Sequence, residues 1–323
     1  IWRGNRRFDV ARDVGMSFAP VTAGGVGVMS VLPFSNGRRK VLCAAGAGLV
    51  AAWRPAHAVD AASPRKILFG TTAVFLDNQV RLLGTWRARL EEQLGMEVHF
   101  VQRGSYGEIT EMLLADQLDV AWVCGYPYVT HADRMKLLVV PQYQGKPLYR
   151  SYLLVPASDT STTNIVSLGN RVFAYSDPQS NSGYLVPRTE LIRDGIDPRR
   201  FFSKAFFTFA HRKVVEAVSS GLASAGEIDG YVFDTLAKQV PDAVTGVRVA
   251  WKSPLYGFPP IVARRSLSVD TFAPLQAALL GMTEDTVGRD LLNRLNLDRF
   301  VIGPDALFDD IRNLVKLSDT MPV

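Results

Sequence analysis

Short apolar runs and amphipathic stretches alternate through residues 66–251, and that alternation restricts the fold more than any other property of the chain. Residues 66–70, Lys-Ile-Leu-Phe-Gly, read as a buried strand ending in Gly70-Thr71-Thr72. Residues 78–94 read as a helix with Val80, Leu83, Trp86 and Leu90 on one face and Arg81, Arg87 and Glu91 on the other, stopped by Gly95. Residues 96–101 alternate as a second strand, and Gly104-Ser105-Tyr106-Gly107 opens a helix over 108–116. Strands at 120–123 and 137–140 follow. A second unit has the same grammar, with strands at 152–155, 171–175, 206–209, 227–232 and 247–251 and helices at 185–193 and 214–220. From Ser268 onward the pattern predicts helices at 271–282, 284–295 and 304–317 and no new run of strands. Strand and helix in short alternation is the mark of parallel α/β sheets, here two of them.

At 323 residues, with 47% hydrophobic and 21% charged side chains, the chain is globular and long enough for two cores. Its formal charge of +5 is unevenly placed. Of 36 Lys/Arg and 31 Asp/Glu, residues 1–58 hold eight basic and two acidic ones, so the remainder has 28 against 29 and a net charge of −1. That balance gives no electrostatic basis for nucleic-acid binding. The two cysteines, Cys43 and Cys124, make no disulfide framework and no metal knuckle. His99, His131 and His211 have no ligand spacing, so neither metal nor cofactor is expected.

Residues 29–58 have the layout of an export signal. Arg38-Arg39-Lys40 is the positive region, residues 41–53 an apolar Ala/Gly-rich core too short to span a bilayer, and Ala56-His57-Ala58 a small-x-small cleavage site. Arg38-Arg39-Lys40-Val41-Leu42 is similar to a twin-arginine motif, though Sec signals are also basic there. Met16 and Met29 are both plausible starts, which makes residues 1–28 a possible non-native upstream extension. Cys43 would leave with the signal, and Cys124 would remain as a lone buried thiol.

Ligands of open α/β sheets bind beyond the carboxyl ends of the strands. Those ends carry Thr71-Thr72, Ser105-Tyr106, Tyr126-Pro127-Tyr128, Ser180-Asn181-Ser182, His211 and Asp229-Gly230-Tyr231, a set rich in hydroxyl donors. The string Asp177-Pro178-Gln179-Ser180-Asn181-Ser182-Gly183-Tyr184 lies between a strand and a helix. Alone it reads first as an N-cap. It also offers side-chain donors from Ser180, Asn181 and Ser182 beside the free amides and partial positive charge of a helix start, with Gly183 expected to let a ligand approach closely. Among these strand ends the string reads as a cradle for a small oxyanion held by neutral donors.

In their order and spacing, several motifs resemble the phosphonate/phosphite/phosphate-binding periplasmic proteins of ABC importers over roughly residues 64–315. They are Gly104-Ser105-Tyr106, Ala121-Trp122-Val123-Cys124-Gly125-Tyr126-Pro127-Tyr128, the Ser176–Tyr184 string with Pro187, Phe201-Phe202, His211, Asp229-Gly230-Tyr231-Val232-Phe233-Asp234, Ser253-Pro254 and Pro259-Pro260. The resemblance implies a two-lobed α/β fold of the type II periplasmic-binding-protein kind, each lobe a mostly parallel sheet flanked by helices, joined by a two-strand hinge. It implies lobe 1 at 59–148 and 252–323 and lobe 2 at 149–251. It puts Ser180, Asn181 and Ser182 on the phosphoryl oxygens, with His211, Tyr106 and Tyr126 as further contacts and Tyr128 left open. Thr72, Ser105 and Gly183 complete the candidate set. Asp229 matches a carboxylate that meets an amino group in aminophosphonate binders; here it either caps a helix or accepts a proton from a protonated phosphoryl oxygen. Asn181 stands where the family often has Thr, and no second such carboxylate is apparent, which leaves phosphite, phosphate or a small phosphonate open.

The implied function is a monomeric periplasmic protein that captures a small phosphorus oxyanion by hinge closure and delivers it to a membrane permease. A sensory protein presenting its closed form to a histidine kinase uses the same lobes and is the alternative. A phosphate-ester hydrolase needs a nucleophile with its base or a metal cluster, and neither pattern is present.

Overall fold

The computed structural model describes residues 66–72 and 80–321. The possible upstream extension at 1–28, the export signal expected at 29–58 and the helix start expected at Asn78 lie outside the described residues. The first half comprises β1 (Lys66–Thr71), α1 (Val80–Leu94), β2 (Glu97–Gln102), α2 (Tyr106–Leu114), β3 (Val120–Trp122), α3 (Gly125–Thr130), β4 (Met135–Gln142), β5 (Leu148–Tyr149), β6 (Ser151–Pro156) and β7 (Val172–Tyr175). A π-helical turn (Asn181–Leu185) then runs into α4 (Val186–Arg193), followed by α5 (Pro198–Phe201), β8 (Lys204–Phe207), α6 (His211–Ser219), β9 (Ala225–Asp229), α7 (Gly230–Gln239) and β10 (Val247–Lys252). The chain closes with β11 (Tyr256–Gly257), β12 (Ile261–Arg264), α8 (Val269–Leu280), α9 (Thr286–Arg294), β13 (Arg299–Val301) and α10 (Asp309–Asp319).

These strands build two main sheets, ordered β13-β4-β12-β3-β1-β2 and β10-β6-β9-β7-β8. In the first, β1 pairs parallel with β2 and β3, while β12 is antiparallel to β3 and β4. In the second, β7 pairs parallel with β8 and β9, and β6 is antiparallel to β9 and β10. The chain is therefore a two-lobed α/β protein of the type II binding-protein architecture. Lobe 1 packs around Phe69, Trp86, Phe100, Trp122 and Phe300, with the Trp86 and Trp122 rings edge-to-face at 6.1 Å. Gly95, at φ +61°, takes the left-handed conformation that ends α1.

Local chemistry moves several element ends. Ser105 and Glu108 form a capping box, so α2 begins at Tyr106 instead of 108. The strand expected over 227–232 stops at Asp229, whose carboxylate accepts the N–H groups of Tyr231 and Val232 and so starts α7. The tail, read as helices with no new run of strands, also contributes the single three-residue strand β13, which completes the lobe 1 sheet against β4.

The chain crosses between lobes at β5 and again at β11, and these two short strands pair, Tyr149 opposite Tyr256. Ser151 N–H donates to Ser253 Oγ at 2.8 Å, and the Arg150 guanidinium donates to the Ser253 carbonyl. The crossings are thus coupled to each other as a two-strand hinge. The lobe 1 core extends to Leu185, Val186, Tyr231 and Val232 of the other lobe, so the lobes lie closed on each other.

Candidate functional site

Strands β1, β3, β7 and β9 direct their carboxyl ends to the junction between lobes, and the segments just beyond them make the site. After β7 the chain turns at Asp177, whose Oδ1 accepts Gln179 N–H at 2.7 Å. Ser180 caps the following turn, its Oγ accepting Gly183 N–H at 2.9 Å. The turn is wound with i→i+5 bonds, Leu185 N–H to Ser180 O at 3.0 Å and Val186 N–H to Asn181 O. Such π segments widen a helix locally and occur often at functional sites. Ser180, Asn181 and Ser182 are all buried.

The other lobe closes on this turn through named bonds. Asp177 Oδ2 accepts Tyr106 N–H at 3.0 Å, and Thr110 Oγ1 donates to Gln179 Oε1 at 2.9 Å. Asn181 N–H donates to Cys124 Sγ at 3.2 Å, and Asn181 Nδ2 donates to the Tyr149 hydroxyl at 3.0 Å. His211, at the start of α6, accepts Asp229 N–H on Nδ1 at 3.3 Å. An imidazole that accepts on Nδ1 keeps its proton on Nε2, which leaves that edge as a donor. The His211 ring meets Tyr106 edge-on at 6.4 Å.

Several polar atoms in this cluster are buried without a hydrogen-bond partner among the described residues: the Tyr106 hydroxyl, Ser182 Oγ and Asn181 Oδ1. Ser182 Oγ lies beside the Tyr149 hydroxyl without the geometry of a hydrogen bond. Buried polar groups are nearly always satisfied, and leaving one unmet costs about 1–3 kcal/mol. Three such atoms lie in this one cluster.

Among the described residues, the cluster named above includes no Lys or Arg side chain. Burial lowers His211 to about 3, so it is neutral at physiological pH. Burial raises Asp229 to about 8 against the opposing effect of its two N–H bonds, and raises Asp177 in the same direction. Burial, with nearby acidic groups adding to it, holds the Tyr106 and Tyr149 hydroxyls well above their ordinary range, and Cys124 rises to about 11. At neutral pH the cluster presents hydroxyls, an amide, an imidazole N–H and a thiol. Among the described residues no group of three or more His, Cys, Asp and Glu is arranged to hold a metal ion.

Of the residues singled out from sequence, the structure brings together Tyr106, Ser180, Asn181, Ser182, His211 and Asp229. It places others in different work. Ser105 spends its hydroxyl on the α2 capping box with Glu108. Thr72 donates to the Trp122 carbonyl at 3.4 Å, whereas the neighbouring Thr71 hydroxyl is the unpartnered one. Tyr126 is half-buried; burial raises its hydroxyl above the usual range, with Tyr184 and Asp319 adding to this and Arg188 opposing it, none of the three in the cluster. Tyr128 donates to Asp305 Oδ1 at 2.7 Å and packs on Phe308. Gly183 is small for a reason other than ligand approach: a Cβ there would lie 1.9 Å from Ser176 Oγ and 3.0 Å from the Glu227 carbonyl. Cys124, Tyr149 and Asp177 join the site without having been singled out as contacts. Cys124 was legible only as a buried thiol, and Tyr149 sits in a two-residue strand with no pattern to mark it.

Two closed α/β lobes with a two-strand hinge and a buried polar cluster between them define the class of two-lobed solute-binding proteins. The model of the family "ABC transporter, phosphonate, periplasmic substrate-binding protein" matches residues 69–308, and the chain belongs to that family. It is 26% identical over 280 residues to the phosphonates-binding periplasmic protein of Escherichia coli, covering 83% of this chain and 81% of that one. It is 30% identical over 178 residues to a phosphate-import protein of Mycolicibacterium smegmatis, covering 51% and 55% of the two chains. A binding component of an ABC phosphonate transporter from Pseudomonas aeruginosa has the same fold, with TM-score 0.72, 22% identity and coverage of 78% and 86%. The family is one of transport binding proteins and not of enzymes. No helix among the described residues is long and apolar enough to cross a membrane.

Proposed function

We propose that this chain is exported through the signal at 29–58, captures a small phosphorus oxyanion between its lobes and presents the closed form to an ABC permease, without turning the ligand over. The observation that carries this reading is the convergence, at the junction between lobes, of buried polar atoms that have no partner among the described residues. The Tyr106 and Ser182 hydroxyls and the His211 Nε2–H supply donors to phosphoryl oxygens. Asn181 Oδ1 supplies an acceptor, which suits a phosphoryl group that retains a proton on one oxygen, and the Asp229 carboxyl, raised to about 8 and so protonated at neutral pH, adds a further O–H donor. Donors fixed by protein bonds and removed from water bind an anion without a formal positive charge, because they need no reorganisation when it arrives.

Closure is the second part of the mechanism. The bonds from Tyr106 N–H to Asp177, from Asn181 N–H to Cys124 and from Asn181 Nδ2 to Tyr149 run between the ligand turn and the other lobe or the hinge, so ligand contacts and closure contacts share residues. A ligand that fits only the closed arrangement shifts the population toward it. A thermal-shift screen of the mature chain tests the reading. Methylphosphonate, phosphite or phosphate at about a hundredfold over its Kd adds about 2.7 kcal/mol of stability, which raises Tm by about 5 °C or more at this size. No shift with any of these, or with aminoethylphosphonate, would overturn the ligand class.

A further inference from the structure

Behind the ligand turn, the carbonyl of Ser182 has lost its place in the helical ladder. The i→i+5 pattern runs from Leu185 to Ser180 and from Val186 to Asn181, and its next rung would bring the amide of residue 187 to Ser182. Residue 187 is proline and has no N–H. The Gly183 carbonyl is met instead by Ser176 N–H at 3.1 Å, and the Ser182 carbonyl by Ser151 Oγ at 2.7 Å. That same Ser151 Oγ lies 2.7 Å from Glu227 Oε1. Ser151, Ser182 and Glu227 are all buried.

A hydroxyl has one proton to donate, and a carbonyl has none. If Ser151 donates to the Ser182 carbonyl, the short contact to Glu227 is a hydrogen bond only when Glu227 donates. We propose that Glu227 is a positioning residue that holds the ligand turn as a neutral acid, its O–H donating to Ser151 Oγ and the Ser151 O–H donating to the Ser182 carbonyl that Pro187 leaves unmet. The relay joins β9, β6 and the turn inside one lobe, so it shapes the turn before closure.

The surroundings agree. Burial raises the Glu227 carboxyl to about 8 and the Glu190 carboxylate of α4 pushes it further up; only a bond donated by Ser151 to an ionised Glu227 would act the other way. Arg193 of α4 is paired with Glu190. Tyr175 of β7 and Tyr256 of β11 face the group as hydroxyls that burial keeps protonated. Further along β9, Asp229 is engaged by α7, and His211 of α6 is neutral.

The relevance of this relay to ligand binding rests on the function proposed above, but the relay itself is testable on ligand-free protein. Melting curves of the wild type and Glu227→Gln are compared from about pH 5 to about pH 9. Because folding raises the carboxyl from 4.5 to about 8, the wild type loses stability as pH rises through that window, and the glutamine variant lacks that loss. The expected result is a variant that folds and whose Tm gains on the wild type steadily between pH 5 and 8, the Asp229 contribution being common to both. A Tm difference that does not change with pH, or a variant that fails to fold, overturns the proposal, since an amide is the nearest mimic of a neutral acid. A second arm measures methylphosphonate binding at about pH 7, where Glu227→Gln should stay within about threefold of the wild type while Ser151→Ala weakens at least tenfold. Absence of binding by the wild type would count against the proposed function and leave the melting result to judge the relay.

Discussion

The Ser182 and Tyr106 hydroxyls are buried with no partner among the described residues, which makes them costly in the ligand-free chain and, under the proposed function, donors in the bound one. A hydrogen bond to a charged ligand contributes about 1.5–3 kcal/mol, and an unmet buried hydroxyl costs about as much. Ser182→Ala and Tyr106→Phe should therefore weaken oxyanion binding by roughly tenfold or more, about 1.4 kcal/mol or above. Neither should lower the ligand-free Tm, and calorimetry with titration on the same samples checks both. Asp229 makes a pH-dependent contribution of its own. Burial raises it from 3.8 to about 8, so the stability tied to its protonated form is complete below about pH 3.8 and is lost as pH rises toward 8. Asp229→Asn keeps a side chain that caps a helix equally well, and its Tm profile should be flatter than the wild type's between about pH 4 and 8. Parallel profiles would contradict that assignment.

At the level of elements, the π-turn is fixed by what surrounds it more than by its own sequence. Gly183 must pass Ser176 and the Glu227 carbonyl, so Gly183→Ala should destabilise by about 1–3 kcal/mol through overpacking. Ser176→Gly in the same chain should recover part of the loss by making room, which a double-mutant cycle of melting free energies would measure. The alternation of strands and helices was legible because apolar periodicity is a local property, and the turn proposed to face the anion was legible as a polar turn because Ser180, Asn181 and Ser182 fall between a strand and a helix. What stayed hidden is tertiary. Nothing local distinguishes Ser105 as a cap completed by Glu108 from Ser105 as a ligand donor, or tells which of Thr71 and Thr72 finds a carbonyl. Tyr126 looked equivalent to Tyr106 because both follow strand ends, yet the two stand in different surroundings. The three-residue β13 and the two-residue hinge strands are too short to show a period, and they exist because β4 and each other's edges pair with them.

At the scale of the described residues, the two lobes join at a hinge, and the proposed ligand contacts lie on the closing surfaces. Asn181 illustrates the coupling: its amide N–H reaches Cys124 in lobe 1, its side-chain N–H reaches Tyr149 in the hinge, and its Oδ1 is unmet. Substituting it should therefore change affinity and the closed population together. Asn181→Ala is expected to weaken binding at least tenfold and to leave a larger radius of gyration at saturating ligand, as small-angle scattering would report. The central claim is that neutral donors between the lobes hold a small phosphorus oxyanion. Isothermal titration of the mature chain with methylphosphonate, phosphite, phosphate and aminoethylphosphonate tests it most directly. One of the four should bind with one-to-one stoichiometry at micromolar affinity or tighter (about −8 kcal/mol or stronger), and Ser182→Ala should weaken that binding. Affinities no tighter than millimolar for all four would contradict it.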